Sequence, residues 1–135
     1  MAYDLEEIEG IGPAFAQKLG VVKIQTTDDL LRLCGDAKSR KEVAAKTGVS
    51  EAQLLKWSNL ADLMRVSGIG PQFSELLEAS GVDTIKELRT RNADNLADKM
   101  KEVNAEKNLT NAVPTATVIS GWIERAKGLE PKISH

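Results

Sequence analysis

The chain is poor in the residue types that most chemistry needs. It has one cysteine, Cys34, and one histidine, His135 at the C-terminus. That excludes an intrachain disulfide, a multi-cysteine zinc site and a nucleophile–histidine pair of the usual kind. Leu31 and Leu33 closely precede Cys34, so a buried thiol is expected. Aromatic residues are only 4% of the total, which leaves Leu, Ile, Val and Ala to build the core and favours helical packing. No apolar run approaches the ~20 residues that span a bilayer, and no partnership with a membrane is expected. The first residues, Met1-Ala2-Tyr3-Asp4-Leu5-Glu6-Glu7, have neither the basic nor the apolar region of a secretory signal, so a cytoplasmic location is expected. Nor is there an excess of positive charge: 18 basic against 20 acidic residues leave −2, so any nucleic-acid contact has to be local. There is no phosphate loop ending in Gly-Lys-Ser/Thr and no cluster of metal ligands. Pairs such as Asp28-Asp29 are accounted for by helix capping, and no enzymatic activity is expected.

What the chain does have is a repeat. Ile8-Glu9-Gly10-Ile11-Gly12-Pro13-Ala14-Phe15 returns 58 residues later as Val66-Ser67-Gly68-Ile69-Gly70-Pro71-Gln72-Phe73. Two glycines around one apolar residue allow a turn too tight for side chains, and the proline suits the first position of a following helix. Each copy reads as helix, hairpin, helix.

The flanking residues extend the correspondence. A first helix is expected from about Ala2 to Ile8, and a second from Pro13 with Phe15, Ala16 and Leu19 on one face. Thr26-Thr27-Asp28-Asp29 starts a third that ends before Gly35. Asp36 to Lys46 is the most basic stretch, with Lys38, Arg40, Lys41 and Lys46, and reads either as a solvated helix face or as part of a phosphate groove. Ser50-Glu51-Ala52-Gln53 is a capping box for a helix reaching about Arg65, with Leu54, Trp57, Leu60 or Ala61, and Met64 inward. Glu51-Ala52-Gln53-Leu54-Leu55 offers little to base edges, which argues against a helix-turn-helix reader.

In the second half Thr84-Ile85-Lys86-Glu87 repeats the capping pattern. Asn95 to Lys107 forms a helix with Leu96, Met100 and Val103 inward, and Pro114-Thr115 caps a last helix through Val118, Ile119, Trp122 and Ala126. Trp57 corresponds to Trp122, so both read as core anchors rather than base-stacking platforms. The fold expected is all-α, two tandem pseudo-repeats of about five helices each, covering 1–62 and 63–130, with a frayed tail over 131–135.

The pattern Leu5, Ile8, Gly10, Ile11, Gly12, Ala16, Leu19, repeated as Leu63, Val66, Gly68, Ile69, Gly70, Ser74, Leu77, resembles the helix-hairpin-helix family. Over nearly its whole length the chain is similar to an uncharacterised bacterial family built from two such units. The resemblance implies a SAM-domain-like arrangement of helices and sequence-independent DNA binding, in a nucleoid, repair or recombination setting. By the same resemblance, Gly10, Gly12 and Ala14, and Gly68, Gly70 and Gln72, would offer backbone N–H groups to phosphates. The carbonyls of Glu6, Ile8 and Ile11, and of Met64, Val66 and Ile69, would hold a monovalent cation; no other cofactor is implied.

Pro13 and Pro71 each remove one donor from these sites. Glu6, Glu7 and Glu9 would repel phosphate at the first hairpin, whereas Arg65 precedes the second. Gly68-Ile69-Gly70, with Arg65, is therefore the stronger candidate. The alternative function is a protein-interaction or self-association module without a nucleic-acid ligand.

Overall fold

The computed structural model describes residues 3–135, and it is helical throughout. A 3-10 turn over Leu5–Glu7 precedes eight α-helices: α1 Pro13–Gly20, α2 Thr27–Cys34, α3 Ala37–Thr47, α4 Glu51–Leu63, α5 Pro71–Ala79, α6 Ile85–Leu88, α7 Ala93–Lys107 and α8 Ala116–Lys127. Among the described residues the β-type pairing is a single bridge between Asp4 and Thr26.

Helix starts follow local chemistry. Thr26 and Asp29 form a reciprocal capping box, the threonine hydroxyl accepting the Asp29 N–H and the aspartate accepting the Thr26 N–H, both at 3.2 Å. The Gln25 N–H, also donated to Asp29, is the main reason that carboxyl lies below its ordinary value. Asp36, Ser50, Thr84, Asn92 and Thr115 cap α3, α4, α6, α7 and α8 one way only, each side chain accepting the N–H three residues on. The left-handed residues Gly48 and Asn108 terminate α3 and α7.

Two apolar clusters form the interior. One gathers Leu5, Ile8, Ile11, Leu19, Leu30 and Leu54 around Trp57; the other gathers Val66, Ile69, Leu76, Ile85, Met100 and Ile119 around Trp122. Both tryptophans are buried, as their spacing predicts. Phe15 meets Trp57 edge-on at 5.1 Å between centroids, and Phe73 meets Trp122 at 5.3 Å. Helix α4 gives Leu54, Trp57 and Leu60 to the first cluster and Leu63 to the second. Its run from Trp57 to Leu63 is buried without a break, which is the pattern of a helix enclosed on all sides.

One expectation fails. The helix predicted from about Ala2 to Ile8 is only the 3-10 turn, and Ala2 lies outside the described residues. Tyr3 is tied to Thr27 by two bonds, its N–H to the Thr27 hydroxyl at 3.0 Å and the Thr27 N–H to its carbonyl at 2.9 Å. That pairing holds residues 3 and 4 extended. The tail over 131–135, expected to be frayed, makes contacts with the first half. Ile133 packs on the first cluster, and the Ser134 N–H donates to the Gly35 carbonyl at 2.8 Å.

Candidate nucleic-acid interface

The two Gly-Ile-Gly-Pro turns have nearly the same backbone. Gly10 and Gly68 lie at φ +95° and +98°, where only glycine sits without strain. A Cβ at Gly10 would stand 3.2 Å from the Trp57 indole nitrogen, and one at Gly68 2.9 Å from that of Trp122. Ile11 and Ile69 are buried plugs, and their N–H groups close the turns onto the carbonyls of Ile8 at 3.1 Å and Val66 at 3.0 Å. The first glycine of each turn is therefore demanded by the interior.

The second glycine is not. Gly12 (φ −90°, ψ −176°) and Gly70 (φ −93°, ψ −171°) are extended, and a Cβ on either would meet nothing within 4 Å. Each is the N-cap of its helix, α1 or α5, and neither helix has a side-chain cap, unlike the six others. Among the described residues no acceptor in the chain takes the N–H groups of Gly70, Gln72 and Phe73, or of Gly12, Ala14 and Phe15. Open donors at a helix N-terminus favour an anion.

At the second hairpin these donors border a concavity of about 470 Å³ lined by Glu7, Gly68, Gly70, Pro71, Gln72 and Phe73. Glu7 comes from the first half, so the acidic flank seen in sequence only at the first hairpin also faces the second. Glu75 on α5 has its carboxyl pushed above the ordinary range, chiefly by burial and then by the negative charge of Glu9. The cations that partly offset Glu75 are Lys56 and Lys107, while two arginines are bonded beside the turn. The Arg125 guanidinium donates to the Ser67 carbonyl at 3.2 Å, and Arg65 donates to Asp62 at 2.7 Å and to the Glu130 carbonyl at 2.9 Å.

Of the basic stretch, Lys38 and Lys41 are exposed on α3. Arg40 is not available to a phosphate: it is 3% exposed, and its guanidinium donates to the carbonyls of Cys34 at 3.0 Å and Ser134 at 2.6 Å. It neutralises the C-terminal end of α2 and holds the tail. As expected from its leucine neighbours, Cys34 is buried, and burial raises its thiol to about 11, which keeps it protonated and inert at neutral pH. The carbonyls of Met64, Val66 and Ile69 and of Glu6, Ile8 and Ile11 belong to the two turns, and those of Ile8 and Val66 already accept one N–H each. Among the described residues no group of three His, Cys, Asp or Glu side chains could hold a metal, and no helix is long and apolar enough to cross a membrane.

Asp62 was not legible as a key residue. It is 1% exposed, pairs with Arg65 through one oxygen and accepts the Ile85 N–H at 2.9 Å through the other. It thereby fixes α6 against the segment entering the second hairpin.

Residues 9–129 match the family described as a domain of unknown function, DUF4332. The chain belongs to that family. No curated protein and no solved structure matches it. The span shared with the family runs from the first hairpin to Leu129, so it takes in both Gly-Ile-Gly-Pro turns and leaves out the docked tail.

Proposed function

We infer that the protein binds DNA without reading its sequence, holding backbone phosphates on the open N–H groups of its hairpins, the second above all. In this reading the chain is an internal duplication of helix-hairpin-helix units over 1–62 and 63–130, joined through α4. The observation that carries it is the contrast among helix starts. Six have side-chain caps, while the two that follow Gly-Ile-Gly have none and carry an extended glycine that the interior does not require. A glycine so placed lets another molecule approach the backbone closely. Arg125 and Arg65 beside the second turn add the positive charge that Gln72 lacks.

Fluorescence anisotropy with labelled duplex, single-stranded and branched DNA, repeated over a salt series, tests this. Each phosphate neutralised on a duplex contributes a log–log salt slope of roughly −0.9. Neutral N–H contacts add nothing to it, so Arg65 and Arg125 together should give a slope of about −2, and no binding to any of the three DNA forms at low salt would overturn the reading.

The second reading is a protein-interaction or self-association module. The acidity of the same concavity favours it, since Glu7 lines the cavity and Glu75 feels Glu9. It requires a mass that rises with concentration by light scattering with no DNA present.

A further inference from the structure

The C-terminal tail is fastened at two points. The Glu130 carbonyl accepts from Arg65 at 2.9 Å, and Ser134 is held from both sides, its N–H by the Gly35 carbonyl at 2.8 Å and its carbonyl by Arg40 at 2.6 Å. The contact at Gly35 is so close that a Cβ there would stand 2.6 Å from the Lys132 carbonyl oxygen. Lys132 lies between the two fastenings, so its backbone is fixed although its side chain is exposed.

Beside it is a cleft of about 340 Å³ lined by Asp28, Leu31, Arg32, Arg65 and Lys132. Three cations from three separate parts of the chain, α2, the approach to the second hairpin and the tail, face one lining carboxylate. This occurs in a protein whose net charge is −2. Two of the three cations already pair with carboxylates. Asp29 takes one Arg32 nitrogen at 3.1 Å, and Asp62 divides its oxygens between Arg65 and the Ile85 N–H. Both bonds from Arg65 leave through the same nitrogen, Nη1, so its other N–H groups make no bond within the described chain. Guanidinium forks and an ammonium around a concave surface match a tetrahedral oxyanion, and of the three cations Lys132 is the one with no ion pair among the described residues.

We propose that this cleft is a phosphate site, completed by the docking of the tail. Its phosphate is that of a nucleic-acid backbone passing the second hairpin, a source that rests on the DNA-binding reading; the chemistry of the site would equally accept a free phosphate. Arg65 joins the two regions, since it lies on the cleft and precedes the Gly68 turn by three residues.

The test is an amide NMR titration of the full chain with inorganic phosphate, using chloride to match ionic strength. Saturable shifts are expected at residues 28–32, 65 and 130–133. Lys132→Glu should weaken phosphate about fivefold or more while leaving the melting temperature unchanged, because the side chain is exposed, and Arg32→Gln should weaken it in the same direction. With duplex DNA, Lys132→Glu should reduce the steepness of the salt slope by roughly one. No saturable shift at the cleft, or equal phosphate affinity in Lys132→Glu and the unaltered chain, overturns the proposal even if the hairpins bind DNA. Phosphate binding at the cleft with no DNA binding in any form leaves the site standing, with a small anion as its ligand, and removes the DNA reading instead.

Discussion

Replacing Gly70 by serine should make the protein more stable and worse at holding DNA. The backbone at Gly70, φ −93° and ψ −171°, lies in the region used by the N-cap residues Thr26 and Thr115, and a Cβ there meets nothing within 4 Å. A serine can therefore enter without strain and turn its hydroxyl onto the Phe73 N–H. Serine at an N-cap is better than glycine by only a few tenths of a kcal/mol. For 135 residues the unfolding entropy is about 0.3 kcal/mol/K, so the midpoint should rise by about 1–2 °C. The same hydroxyl occupies donors that phosphate would use, and hydrogen bonds to charged groups contribute roughly 1.5–3 kcal/mol. DNA affinity should fall by about tenfold or more. Gly68→Ala is the matched control with the opposite sign. Its φ of +98° costs about 1–2 kcal/mol in any L residue, and the 2.9 Å approach to Trp122 adds to that. Calorimetry and anisotropy on the two variants decide the matter. A lower melting temperature for Gly70→Ser would refute the claim that the interior does not need this glycine. A higher one with unchanged DNA affinity would refute phosphate binding at the second hairpin.

What could be read from the sequence and what could not divides by range. Caps act over three residues, so Thr26, Ser50, Thr84 and Thr115 announce their helices, and the apolar spacing around Trp57 and Trp122 carries the two clusters. The need for glycine at the first position of each turn was legible as turn chemistry. That the second position is free of any internal demand was not, because it depends on what surrounds a Cβ in space. Arg40 looked like one more cation in a basic helix, yet its partner Ser134 is 94 residues away. Asp62 looked like an ordinary polar residue near a helix end, yet its second oxygen serves an amide 23 residues on. Glu7 belongs in sequence to the first hairpin and in space to the concavity of the second. In each case the local signal named the residue type correctly and only chain packing supplied its partner. The tail follows the same logic, since nothing in Pro131 to His135 announces that Gly35 and Arg40 will receive it.

Two further predictions concern charge. Asp62→Ala leaves Arg65, only 17% exposed, without its carboxylate and the Ile85 N–H without its acceptor, so stability should fall by about 3 kcal/mol. A denaturant midpoint giving a loss under ~1 kcal/mol would show that the pair is not holding α6 in place. Glu75→Gln should act in the opposite direction and depend on pH. Burial, then Glu9, raises the folded carboxyl above its ordinary 4.5, so the native state binds the proton more tightly than the unfolded chain does. Stability from this group is then full below about pH 4.5 and is lost as pH rises through the higher folded value. The glutamine variant should melt like the unaltered protein near pH 3 and above it at pH 7. Identical pH profiles would show that Glu75 is not strained by its neighbours. Because the same carboxylate lies on α5, which opens from the second hairpin, its removal also bears on the partner. Loss of one negative charge should strengthen DNA binding roughly twofold at low salt, whereas a partner recognised through these acids should bind more weakly.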